Sequence, residues 1–147
     1  MMRSKRGMSL IELIYAIGLS LIVMSVGYSA YASFARADDV ERQREQLNLN
    51  AQVAMGRIKQ DIRSARAVSG FGSTLILATA DDRVEYRNLP TGSGLERRSQ
   101  HGRYLYKSIT AGFSSSDGGV NVSIKARTQV HRRAIGVDLT SFVVPRS

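Results

Sequence analysis

The sequence predicts an α+β fold: a long N-terminal helix packed on a small, mainly antiparallel β-sheet domain. Three observations predict it. Residues 13–35 contain no charged side chain. Leu47, Ala51, Ala54, Met55, Ile58, Ile62 and Ala65 then recur at steps of three and four, the period of a helix that buries one stripe. Beyond residue 68, short apolar–polar alternations separated by Ser, Gly and Asp clusters read as strands and turns.

The uncharged run, LIYAIGLSLIVMSVGYSAYASFA, is 23 residues long. As a helix it would extend roughly 34 Å, enough to cross a hydrocarbon core of about 30 Å. Arg3, Lys5 and Arg6 precede it, and positive flanks stay on the cytoplasmic side. The C-terminal part is therefore expected outside the cytoplasm, with Tyr28, Tyr31 and Phe34 at the far interface. A cleaved secretory signal has an apolar core of about 7–15 residues. This run is longer and continues into helix-compatible sequence.

In the following stretch, Arg57, Lys59, Gln60, Asp61 and Arg63 fall on the expected polar face. No strong breaker precedes SGFGS at residues 69–73, so one helix over residues 8–67 is expected. The organisation reads as a basic leader (residues 1–7), a transmembrane helix half (8–35), an amphipathic half (36–67) and a β-rich globular domain (68–147). Within the last, TLILATA and RVEYRNL flank an Asp81-Asp82 turn, and LERRS makes a short polar strand. Tyr104, Leu105, Tyr106 and Ile109 form the next candidate, and SSSDGG at residues 114–119 reads as a loop. Val120, Val122, Ile124 and Ala126 then give the cleanest period-two pattern, and AIGVDLTSFVV closes a meander of about five or six strands.

Composition narrows the chemistry. The 147 residues include 21 Lys and Arg against 12 Asp and Glu, which favours anionic surroundings. Without cysteine there are no disulfides and no thiolate metal sites. His101 and His131 lie in basic stretches without carboxylate neighbours in sequence, so no metal and no cofactor are expected. No P-loop, dinucleotide fingerprint or nucleophile elbow occurs, and the expectation is a non-enzymatic protein. Arg97, Arg98, Arg103, Arg132 and Arg133, interleaved with Tyr104 and Tyr106, are candidate anion or DNA contacts. A solvated face, or one meeting acidic protein partners, is the favoured reading of those charges, with nucleic acid second.

Glu12 is the one feature a plain anchor leaves unexplained, because a carboxylate in a membrane span is costly. It stands five residues after Gly7, in the run G-M-S-L-I-E-L-I behind the basic leader. This arrangement resembles the prepilin signal of type IV pilins and type II secretion pseudopilins. The resemblance implies cleavage after Gly7 by a membrane prepilin peptidase, N-methylation of Met8, and an assembly role for Glu12. Cleavage creates an α-amine at Met8, charged at neutral pH, that Glu12 of a neighbouring subunit can pair with. The helix-kinking Pro usual in major pilins is absent: Ser29 stands at that position, and no Pro occurs before Pro90.

Further on, MGRIKQDIRSARAV, VEYR followed by GLERR, and the terminal TSFVVPRS resemble J-type minor pseudopilins and related minor pilins. The family implies a minor subunit at the tip or in the priming complex of a pilus or pseudopilus. It implies other pilins, the prepilin peptidase and an inner-membrane assembly platform as partners. It places the chain as a single pass in the bacterial inner membrane, N-terminus cytoplasmic and C-terminal domain periplasmic. Two alternatives stand beside it: a DNA-binding minor pilin of a competence system, and a membrane-anchored binding domain that never polymerises.

Overall fold

A computed structural model describes Ser9–Pro90, Gly92 and Gly94–Arg146. One long helix, α1 (Leu10–Ser64), is followed by eight described strands in two antiparallel sheets, an α+β arrangement. The basic leader, Gly7 and Met8 lie outside the described residues. The chain divides into two compact units between Asp39 and Val40.

From Leu10 onward the first unit is helical, and its large apolar side chains, from Leu10 through Phe34, are exposed to the surroundings. It contains the one stretch of the described chain long and apolar enough to cross a membrane. Ser20 and Ser33 each donate to the carbonyl four residues back, at 2.8 and 2.9 Å. Such bonding satisfies hydroxyls that would otherwise be unpaired in an apolar medium.

The second unit contains the remainder of α1 and both sheets. The helix ends at Ser64, short of the expected residue 67. Its hydroxyl bonds the Asp61 carbonyl at 3.0 Å, and the Arg66 amide donates to the Ala78 carbonyl at 2.8 Å. The chain is thus drawn into a sheet before the glycines are reached. β1 (Ala67–Ser69), β2 (Thr74–Ala78), β3 (Arg83–Asn88), β4 (Gly94–Ser99) and β5 (Gly102–Lys107) form the first sheet in sequence order. β6 (Ile109–Ser116), β7 (Gly119–Val130) and β8 (Arg133–Val143) form the second.

Two sequence expectations are corrected here. Residues 104–109 were expected to form one candidate strand, but Ser108, with φ of 60°, separates β5 from β6 and hence one sheet from the other. The expected loop at residues 114–119 shrinks to a two-residue turn, Asp117-Gly118, both at positive φ. An Asp-Gly pair suits such a turn because its twist matches that of the flanking strands. The split, together with β1 where helix was expected, raises the count from five or six strands to eight.

The helix stripe Leu47, Ala51, Ala54, Met55, Ile58 and Ile62 is buried as its spacing requires. It joins one core with Leu75, Leu77, Val84, Tyr86 and Leu95 of the first sheet and Ile109, Phe113, Val122 and Ile124 of the second. The sheets are also stitched by polar bonds. Asn88 uses its side-chain amide like a strand's backbone, donating to the Ala111 carbonyl at 2.6 Å and accepting from the Ala111 amide at 2.8 Å. Gly72 and Phe113 exchange backbone bonds of 2.7 and 3.0 Å close by.

Candidate functional site

Glu12 lies in the first turn of α1. Its carboxylate accepts from the Ser9 amide at 2.9 Å, while the Ser9 hydroxyl accepts from the Glu12 amide at 3.3 Å. The pair is a capping box, which satisfies two of the donors that every helix N-terminus leaves open. The Ser-x-x-Glu spacing is legible in S-L-I-E but was missed beside the larger question of the membrane carboxylate. Glu12 therefore has a local role in starting the helix, and both oxygens remain at an exposed position.

The second polar cluster is internal. Asp61, expected on the polar face of α1, is buried instead. Its carboxylate accepts from the Tyr86 hydroxyl at 2.7 Å and from Arg97 Nε at 2.8 Å, and Arg57 approaches to 3.6 Å. Burial first, and then the Asp61 carboxylate, push the Tyr86 hydroxyl well above its ordinary pKa, so it remains a neutral donor. Arg97 is held charged by the same carboxylate. The knot fixes α1 to β3 and β4, with Asp61 and Tyr86 buried, Arg97 nearly so and Arg57 about half exposed.

The register then sorts the predicted basic residues. Arg97 stands opposite Tyr86 and Tyr104, on the helix-facing side of the first sheet. Arg98 and Arg103 are cross-strand partners on the opposite face. There, Glu96 is nearly fully buried, accepts from Arg98 Nε at 2.7 Å and pairs with Arg103. Arg132 lies in the β7–β8 turn of the other sheet, where His131 and Arg132 have φ of 47° and 65°, and Arg133 begins β8. Three separate places thus hold the five candidate anion contacts.

Asp82 organises the adjoining corner. Its carboxylate accepts from the Arg83 amide at 2.6 Å and the Gln100 amide at 3.0 Å, with His101 Nδ1 at 3.4 Å. Those contacts hold its pKa below the usual carboxylate range, the Gln100 bond most. Among the described residues no group of three His, Asp or Glu is arranged to hold a metal.

The arginines around Glu96, Arg98 first, also hold its carboxyl below the ordinary range. A depressed folded-state pKa contributes stability above the unfolded value of about 4.3, lost as pH falls through the folded value. Glu96→Gln is therefore expected to be less stable than the parent at pH 7. The gap should narrow below about pH 4, as the parent takes up its proton. Urea titrations at pH 7 and pH 3 measure this, and a gap independent of pH would contradict it.

Family models, curated proteins and solved structures were all compared with the chain, and none matches.

Proposed function

We propose that this chain is a minor pilin or pseudopilin, cut after Gly7 and assembled through its N-terminal helix into a filament spanning the periplasm. The observation that carries the reading is the N-terminal order: basic leader, Gly7, an apolar stretch holding Glu12, then a helix running to Ser64. That helix is exposed and apolar in its first half and buried against antiparallel sheets in its second. Such a division suits a subunit whose first half is packed by lipid in one state and by neighbouring helices in another. The role is structural, at the tip or in priming, and membrane insertion precedes assembly.

One observation favours the plain anchor instead. The Ser9–Glu12 capping box gives the carboxylate a purpose that needs no second subunit. Processing separates the two readings. Co-expression with a prepilin peptidase should shorten the chain by its first seven residues, and Gly7→Val should block the change. A chain of unaltered length in both cases would favour the anchor.

A further inference from the structure

We infer that the free edge of β8 is a docking edge for an extended segment of another polypeptide, which joins the second sheet as a fourth strand with a basic side chain turned toward α1. The register fixes which backbone groups of that edge are open. Val130 and Arg133 are paired across a two-residue turn, and the residues that close such a turn bond each other. Bonded and unbonded pairs then alternate along an antiparallel ladder. Arg133, Ile135, Val137, Leu139 and Ser141 therefore direct their amides and carbonyls to β7, while Ala134, Gly136, Asp138, Thr140 and Phe142 turn theirs outward. The same alternation turns the Arg127 amide to the other side of β7, where it donates to the Ser108 carbonyl at 2.9 Å. Among the described residues no segment bonds the outward groups of β8.

Of the edges in the two sheets, β8 alone is both long and unguarded. β1 has three residues, β5 has six and carries Arg103 and Lys107, and β6 is bridged to Gly72. β8 has 11 residues, about 36 Å of strand. It pairs with β7 in unbroken register, without a bulge, and contains neither Pro nor Lys. Bulges, Pro and Lys are the usual means of keeping an edge from pairing. Its one mid-strand charge, Asp138, is taken up by Arg127 of β7 at 2.7 and 2.9 Å. The guanidinium crosses Gly136 and fills the space where a Cβ would stand. A glycine in the edge strand thus lets its own sheet neutralise the charge that would repel a fourth strand.

The ground beside the edge selects the occupant. Glu41, Arg44, Glu45 and Asn48 of α1 share with Gly136, Val137 and Asp138 the lining of a cleft of about 680 Å³. Glu41 and Glu45 are exposed, and neither has an ion-pair partner among the described residues. Main-chain bonds hold an added strand, and its alternate side chains enter whatever pockets flank the edge. A Lys or Arg on the inward side meets both carboxylates. A second copy of this chain fits less well. Residues 136–138 border α1 at residues 41–48, and the Arg146 amide bonds the Arg63 carbonyl at 3.3 Å, so β8 and α1 run in the same direction. An antiparallel joint between two β8 edges would set the two helices in opposite directions, whereas copies anchored in one membrane run alike. The open edge stands without any reading of the N-terminus; only the exclusion of a second copy rests on the membrane helix, which both readings above share.

The test uses the full chain in zwitterionic detergent and the fluorescein-labelled heptapeptide TVTKTVT, whose Val, Lys and Val share one face. Anisotropy should show saturable binding, at least fivefold tighter than for TVTETVT. Thr140→Pro removes one outward amide and none of the bonds to β7, so the hairpin is spared. It should weaken binding at least tenfold, while Thr140→Val, which keeps the amide, should bind as the parent does. Glu41→Gln with Glu45→Gln should weaken binding of TVTKTVT about threefold and leave TVTETVT no worse bound. Deuterium exchange of the parent gives a second readout that needs no variant: the peptide should slow residues 133–143 and leave the first sheet unchanged. No saturation at about 1 mM peptide, equal binding by Thr140→Pro with its fold intact, or protection elsewhere than β8 would each overturn the inference. Sedimentation showing a dimer that Thr140→Pro dissolves would overturn it too, by making a second copy the occupant.

Discussion

Asp61→Ala should cost the second unit about 3–5 kcal/mol, the range for removing one partner of a buried ion pair. The side chains left behind explain the size. Tyr86 is fully buried and would keep a hydroxyl with no acceptor, while Arg97, whose side chain is 14% exposed, would keep a charge with no counterion. A small domain has about 5–15 kcal/mol in total, so the loss should be close to unfolding at body temperature. Asp61→Asn preserves an acceptor for Tyr86 and should fall between. Asp61→Leu combined with Arg97→Met and Tyr86→Phe removes both charges and the orphaned hydroxyl, and should recover much of the stability. Urea unfolding followed by tyrosine near-ultraviolet dichroism measures the series. A cost below 1 kcal/mol for Asp61→Ala would mean that the knot is solvated and contributes little.

Glu12→Gln should leave the helix N-terminus capped and abolish incorporation into filaments. Gln serves as well as Glu in a capping box, so the bonds with Ser9 survive. What disappears is the charge that would face a neighbour's Met8 amine. At about 3–5 kcal/mol for an unpaired buried charge, incorporation should drop a hundredfold or more. Glu12→Ala removes both the cap and the charge. Were capping the whole role of Glu12, Gln would behave as the parent and only Ala would show a defect, of about 0.5–2 kcal/mol in helix stability. Immunoblots of sheared filament and membrane fractions, normalised to total subunit, distinguish the two patterns.

Much of the fold was legible because local periodicity coincides with burial. The stripe from Leu47 to Ile62 and the alternation from Val120 to Ala126 are buried residue for residue. Contacts between distant segments were not legible. Asp61 looked like one more polar-face residue because its partners, Tyr86 and Arg97, are 25 and 36 positions away. For the same reason Arg97 was grouped with Arg98, its neighbour in sequence, although adjacent strand residues point to opposite faces. Arg87 was passed over because only strand pairing sets it opposite Glu96 and so beside Arg98. Two local signals were present and undervalued: the Ser9–Glu12 capping spacing and the Asp117-Gly118 hairpin turn.

The central claim is that the leader is removed at Gly7, and intact mass tests it most directly. The protein would be purified from its native membrane, beside the same protein from cells lacking prepilin peptidase. A mass short by residues 1–7, with one methyl added at Met8, in the first preparation alone is the predicted result. Full-length mass in both would contradict the claim and leave Glu12 as the cap of an ordinary membrane anchor.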